Sequence, residues 1–380
     1  MSRDMTTLGE LITLQRGYDL PEARRRPGTV PVVGSAGVTG YHDTAKAKGP
    51  GVTVGRSGAS FGKVTFIPED YWPHNAALFV TDFKGNEPLF IRYLLESLDF
   101  SSLNSGSAQQ SLNRNYVYGV LVRKFDLPVQ RRIAGILSAY DDLIENNLRR
   151  IKILEEMARA LYREWFVHFR FPGHDKSKMV SSSLGPIPQG WEVKKLLGVA
   201  NVTYGFPFES KMFNTGGMGT PIVRIRDIPT GATETWTEED AEQKYHIKNG
   251  DILVGMDGDF HMCIWSSGHA YQNQRVAKFS SRGEIGNYHL FLALEEPIQT
   301  FNKSIVGTTV AHLGDTHIKT IQIIWPPAKL LVKAQTLLEP MSEQILNLKL
   351  QAANLRRTRN LLLSRLLCGA CIPECWYEAR

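Results

Sequence analysis

Between residues 127 and 165 the chain reads LPVQRRIAGILSAYDDLIENNLRRIKILEEMARALYREW. Counted from Ile133, positions Leu137, Tyr140, Ile144, Asn147, Ile151, Leu154, Ala158, Leu161 and Trp165 follow at alternating steps of four and three, the spacing of a coiled-coil seam. Gly135 is the last Gly or Pro in the run. The other faces carry Arg131, Arg132, Asp141, Asp142, Glu145, Arg149, Arg150, Lys152, Glu155 and Glu156. So narrow an apolar stripe requires another long helix as its partner.

That partner is found near the other end of the sequence. Leu331, Ala334, Leu338, Met341, Ile345, Leu348, Ala352, Leu355, Arg359, Leu362 and Leu366 repeat the same alternation over a similar length. Pro340 lies inside this second run and is expected to kink it or restart it near Glu339.

Ahead of each seam lies a region of different texture. Residues 1–126 mix short apolar runs (VPVVG, GVTV, VTFI, ALFVT) with Gly and Pro turns and one helical patch at 88–98; residues 191–325 do the same (TPIVRI, DILVG, MCIW, IQIIW). The fold class expected is mixed α/β (α+β). The divisions are a first domain at 1–126, a central helix at 127–168, a Gly, Pro and Ser-rich linker at 169–190, a second domain at 191–325, a distal helix at 326–367 and a tail at 368–380.

The order domain, helix, domain, helix suggests a duplication. LGELITLQRGYDLPEA (8–23) lies over LGVANVTYGFPFES (197–210), each with a Gly before an aromatic, Gly17-Tyr18 and Gly205-Phe206. GVTVGRSGASFGKVTF (51–66) lies over GDILVGMDGDFHMCIW (250–265), matching Gly55 with Gly255 and Gly58 with Gly258. GSAQQSLN (106–113) lies over GTTVAHLG (307–314), each with Leu six residues after its Gly. A pseudo-two-fold molecule follows, its two helices packed antiparallel.

Composition narrows the function classes. An apolar fraction of 42% is ample for packed cores, and a net charge of +6 with pI near 9.0 suits a nucleic-acid binder without demanding one. The amino-terminal stretch lacks a signal-peptide pattern and no apolar run is long enough to span a membrane, so a soluble cytoplasmic protein is expected. GRSGASFGK near Gly55 departs from the phosphate-loop pattern and reads as a tight glycine turn between strands. No dinucleotide fingerprint, nucleophile elbow, triad or carboxylate pair stands out. His261, Cys263, His269, His312 and His317 lack metal-ligand spacing, while Cys368, Cys371 and Cys375 read as free thiols of a tail. Neither a catalytic nor a metal site is expected. A duplicated, basic chain with two seam helices reads as a recogniser and scaffold.

The chain resembles a known family, the DNA-specificity subunits of type I restriction-modification systems. Similar to that family are Pro128 and Gln130 before Ile133, Leu137, Asp141-Asp142-Leu143-Ile144, Leu154-Glu155 and residues 161–166; the GPIPQGW entry at 185–191; and LRRTRNLLLSRLLCG at 355–369. The second half departs in having Ala328-Lys329 where a Gln often stands, and the residues after Gly369 are unlike the family ending. The resemblance implies two target-recognition domains, each reading one half of a split site in double-stranded DNA. It implies helices that separate the domains and dock two methyltransferase subunits and the restriction (translocase) subunits. This chain would be non-catalytic and hold no cofactor; S-adenosylmethionine, ATP and Mg would belong to the partner subunits.

Polar and basic residues in Gly-flanked loops are the expected DNA contacts, since Arg and Lys suit guanine edges, Gln and Asn suit adenine, and Ser and Thr suit phosphate. In the first domain these are Arg16, Tyr18, Arg56, Ser57, Lys63, Gln109, Gln110, Asn113 and Arg114; in the second, Tyr204, Phe208, Lys211, Arg224, Arg226, Asp257, Thr309 and His312. Asn147 is expected to fix helix register, and the outward charges of the central helix are candidates for partner docking. A seam of about 35 residues rises about 50 Å, the length of about fifteen base pairs, and so acts as a ruler. Two other classes stay open: a coiled-coil adaptor without DNA affinity, and a DNA enzyme acting alone.

Overall fold

Each globular region is folded around one end of both seam helices. The computed structural model describes residues 5–104, 110–283, 285–304 and 312–368. The central helix is Leu127–Tyr162 and the distal helix Ala328–Leu367. The chain forms two compact units, 1–144 with 354–380 and 145–353, so the division runs across the two helices and not at their ends.

In the first unit a four-stranded antiparallel sheet has the spatial order Thr13–Arg16, Ala77–Asp82, Gly51–Gly55, Val64–Ile67. A smaller sheet is built from Gly37–His42, Val30–Gly34 and Trp72–Pro73. The helix Pro88–Glu96, begun by a proline at its first position, buries Phe90, Ile91, Tyr93, Leu94 and Leu95. Those side chains share one core with Ile133, Ala134 and Leu137 of the central helix and with Leu366 and Leu367 of the distal one. Seam residues of this half are therefore core residues of the first unit.

The second unit repeats the plan. Its four-stranded sheet runs Ala200–Tyr204, Val276–Ser281, Ile252–Gly255, Met262–Ile264, again wholly antiparallel. A five-stranded sheet takes the place of the three-stranded one. Ile151 and Ala158 share a core with Leu331, Leu338, Ile345 and Leu348. Within this unit Glu155 pairs with Lys349 (3.2 Å) while Trp165 clusters with Ala334, and within the first Asp141 pairs with Arg359 (2.6 Å) while Ile133 clusters with Leu366, so in each unit the two helices run antiparallel.

Several expectations need correction. Pro340 does not restart the distal helix, which continues through it. The proline is exposed while Leu338 and Ile345 on the seam side stay buried, so the carbonyl it frees is left towards water. Residues 169–190 are no bare linker. Met179–Ser182 and Gly185–Pro188 pair as a hairpin, and Phe171, Ile187 and Trp191 pack on Trp165 and Phe166. Asp141 and Glu155 do not point outward: both are taken up by ion pairs inside their units.

Two polar side chains of the central helix organise the first unit. Gln130, 3% exposed, accepts from the Glu87 N–H (2.9 Å) and donates to Asn86 Oδ1 (2.7 Å) and the Phe125 carbonyl (2.8 Å). Asp141 accepts from Tyr93 Oη (2.7 Å) and Arg359 Nη1 (2.6 Å), and Arg92 Nη2 lies 3.0 Å from it. Burial first, then the bond to Asp141, pushes the Tyr93 hydroxyl well above its ordinary range. Asp141→Ala leaves two guanidinium groups and a phenol without their shared acceptor. The expected loss is about 3 kcal/mol of stability, measured by chemical denaturation, with Asp142→Ala, at an exposed neighbour, close to neutral.

Candidate nucleic-acid interface

Four segments converge at one edge of each four-stranded sheet, and backbone hydrogen bonds place them alike in both units. In the first, Gly17 N–H donates to Ala77 O (3.0 Å), Tyr18 N–H to Pro73 O (2.8 Å), Arg56 N–H to Ala76 O (3.1 Å) and Leu112 N–H to Arg56 O (2.8 Å). In the second, Gly205 donates to Val276 O (3.1 Å), Phe206 to Gln272 O (2.9 Å), Met256 to Arg275 O (3.0 Å) and Leu313 to Met256 O (2.7 Å). The turn after each central strand also matches: Gly55 N–H meets Lys63 O at 2.8 Å, Gly255 N–H meets His261 O at 2.9 Å.

Glycine is required where the chains approach most closely. A Cβ on Gly17 would stand 2.2 Å from the His74 carbonyl oxygen, and one on Gly205 would stand 1.9 Å from that of Asn273. Both contacts are with backbone, which has no side chain to swing aside. The sequence-level match of these two glycines therefore has a steric cause.

Upon this common frame the side chains differ. The first unit presents Arg16, Arg56 and Arg114. Arg16 Nε donates to Asn75 O (3.4 Å), Arg114 Nη1 to Leu14 O (3.4 Å), and Arg56 Nε is buried with no hydrogen-bond partner. Burial, and then the neighbouring Arg16 charge, lowers the Arg56 guanidinium from its ordinary value. Three guanidinium groups, two of them steadied by carbonyls and one with an unpartnered Nε, can receive a ligand rich in acceptors. Ser57 bridges to Ser111, Lys63 Nζ donates to Ala36 O (2.7 Å), and Asn113 caps the short helix Arg114–Tyr118. Gln110 is exposed, and the Tyr18 ring packs on Trp72 and Phe79.

The second unit carries carboxylates at the same edge. Asp257 bridges to His312, accepting from its Nδ1 side at 2.6 Å, and lies 3.3 Å from Arg275 Nε. Tyr204 Oη donates to Asp315 (2.7 Å), which also pairs with Lys319. Lys211 is exposed and paired with Glu209 at 2.6 Å, and Arg226 is exposed. Phe208 and Arg224 do not occupy exposed loops as expected. Phe208 is buried at 7% and stacked on Tyr271, because the strand edge beyond Gly205 turns inward there. Arg224 is tied to Asp227 and Thr235 and closes a short 3-10 turn. Gln109 and Thr309 lie outside the described residues.

Arg275 was not among the sequence candidates. Its signal lay in a fourth block of the repeat, YWPHNAALFV (71–80) over AYQNQRVAKF (270–279), where Arg275 stands over Ala76. Among the described residues no group of three or more His, Cys, Asp or Glu side chains could hold a metal, and burial pushes the Cys263 thiol up to about 12. No helix among them is long and apolar enough to cross a membrane.

Residues 3–156 and 188–350 each match the model of the type I restriction modification DNA specificity domain. The chain belongs to that family. It is 28% identical over 258 residues to the type I restriction enzyme MjaIX specificity subunit of Methanocaldococcus jannaschii, covering 63% of this chain and 58% of that one. To the EcoBI specificity subunit of Escherichia coli it is 32% identical over 193 residues, covering 50% and 41%. These matches span less than two thirds of either relative. A type I S subunit from M. genitalium has the same fold, with a TM-score of 0.63 over 96% of both chains at 16% identity.

Replacing Gly205 by Ala is expected to break the bridge between Phe206 and Asn273 and to cost about 1–3 kcal/mol. Hydrogen exchange should show the loss in the second unit alone, while Gly216→Ala, whose nearest neighbour is a side-chain atom at 3.8 Å, leaves exchange unchanged.

Proposed function

We propose that this chain is the sequence-reading, non-catalytic subunit of a type I restriction-modification complex. Each unit binds one half of a split site in double-stranded DNA through its four-segment edge. The observation that carries this reading is the same backbone frame built twice in one chain, with different polar side chains on each copy, in a family defined by DNA specificity. Arg16, Tyr18, Arg56, Ser57, Lys63, Gln110, Asn113 and Arg114 are the contacts of the first unit. Tyr204, Lys211, Arg226, Asp257 and His312 are those of the second.

The long helices set the spacing between half-sites and dock two methyltransferase subunits and the restriction subunits. S-adenosylmethionine, ATP and Mg serve those partners. Docking charges are reduced to the exposed ones: Arg131, Arg132, Asp142 and Arg150, with the pairs Arg149–Glu145 and Lys152–Glu156. Asn147, 7% exposed on the seam, fixes register through the cost of placing its amide opposite apolar residues.

Sequencing of modified adenines in a host carrying the complete system tests the reading. Adding one heptad to both helices lengthens each by about 10 Å, so the modified site should keep both half-sequences and gain about three base pairs between them. An unchanged spacer sinks the ruler, and a map that does not depend on this chain sinks the DNA reading. For Asn147→Leu the expected result is a rise in melting temperature of a few degrees, about 1 kcal/mol, together with looser helix register; a fall in stability refutes the register role.

A further inference from the structure

We infer that Arg275 is the base-reading guanidinium of the second unit, held ready by Asp257 at the place where Arg56 serves the first. This rests on the DNA-reading function proposed above and names the residue that performs it in the second unit.

The argument begins from the backbone. Residues 56 and 76 face each other through an N–H to carbonyl bond of 3.1 Å, and residues 256 and 275 through one of 3.0 Å. Each pair contains one arginine, but on opposite members. The first unit has Arg56 opposite Ala76; the second has Met256, buried at 6%, opposite Arg275. A guanidinium has thus been kept at the sheet edge while its attachment point moved to the facing segment. A purely structural arginine would have no reason to be restored from the other side, since the core beneath is already filled by Met256.

The chemistry of the side chain points the same way. Arg275 is 52% exposed, and its Nε is held 3.3 Å from Asp257 Oδ2. The other oxygen of Asp257 is occupied by His312 at 2.6 Å, so the carboxylate is itself fixed. Among the described residues Arg275 has no further partner. Its Nη1 and Nη2 groups form a planar pair of donors whose stem is already restrained, so binding costs less side-chain freedom. Such a fork matches the O6 and N7 acceptors on the major-groove edge of guanine. It also matches a phosphate, and the two differ in whether sequence matters. Asp257 and His312, proposed above as contacts of this unit, also hold Arg275 in position.

The test uses the full chain in a host carrying the complete system, with modified adenines mapped across the genome. Arg275→Ala should relax one guanine position in one half-site, lowering discrimination there about tenfold to hundredfold, and leave the other half-site as it was. Arg275→Lys, which keeps the charge but not the fork, should relax the same position. Asp257→Asn should relax it less. If Arg275→Ala does not accumulate, Arg275→Gln preserves stem and polarity and gives the same readout.

An unchanged site in Arg275→Ala overturns the inference. So does a uniform loss of modification at every site that Arg275→Lys restores, which identifies a phosphate contact. If instead deletion of the chain leaves the adenine map unaltered, the DNA-reading function itself has failed.

Discussion

The constraint on which the structure depends is the burial of one narrow helical seam inside two separate cores. Ile133 and Leu137 are fully buried against the sheet and helix of the first unit, and Ala158, Leu338 and Leu348 nearly so in the second. Each large aliphatic side chain so placed contributes about 1.5–3 kcal/mol. The helices therefore cannot be detached from the two sheet-bearing regions as a neutral rod. A heptad lost near either end would remove core residues from a unit, whereas the faces away from the seam remain open to change.

The seam is not symmetric, although the chain is duplicated. Placing Leu121–Arg123 over Gln322–Trp325, the strands that precede each helix, sets Asp141 over Ser342, Asn147 over Leu348, Ala158 over Arg359 and Gln130 over Leu331. The first unit therefore carries a buried glutamine and an aspartate bridging Tyr93, Arg92 and Arg359, where the second carries Leu331, Ser342 and Ala158. Pairing either helix half with a copy of itself would bury Asp141 without Arg359, or Arg359 without Asp141. Unpaired buried charge is costly, so these residues favour the pairing of unlike halves. Gln130 lies over Leu331 and not over Ala328-Lys329, and Leu331 fills that position with apolar packing.

Much of this was legible in the amino-acid order because it rests on spacing. Alternation of three and four marks both seams, and the glycine matches at 17 with 205 and 55 with 255 mark close approaches that tolerate no Cβ. What spacing does not encode is direction in space. Asp141 and Glu155 fell between seam positions and read as solvent-facing, yet Arg92 on a third element brings a countercharge to Asp141, and Arg159 and Lys349 on the two long helices bring theirs to Glu155. Phe208 and Arg224 followed glycine-bearing stretches, but Phe208 is buried on Tyr271 and Arg224 is half-buried and tied to Asp227. Residues 169–190 have loop composition, and only the aromatic set Trp165, Phe166, Phe171 and Trp191 shows that they pack.

The frame at the reading edge is carried by N–H and carbonyl groups and by two glycines, none of which depends on the identity of the neighbouring side chains. At the matched positions around this frame the units share almost nothing: Arg16, Arg56, Ser57, Ala76, Ser111 and Arg114 correspond to Tyr204, buried Met256, Asp257, Arg275, His312 and Asp315. Substitution there disturbs no backbone bond, so a reading edge can change its chemistry without refolding. The cost of a charge at such an edge is borne locally: Arg16 and Arg114 of the first unit are held by carbonyls, while in the second Asp257 and Asp315 each have their own cation. Separation of frame from side chain explains how one duplicated sequence can hold two unlike sets of polar side chains on the same backbone.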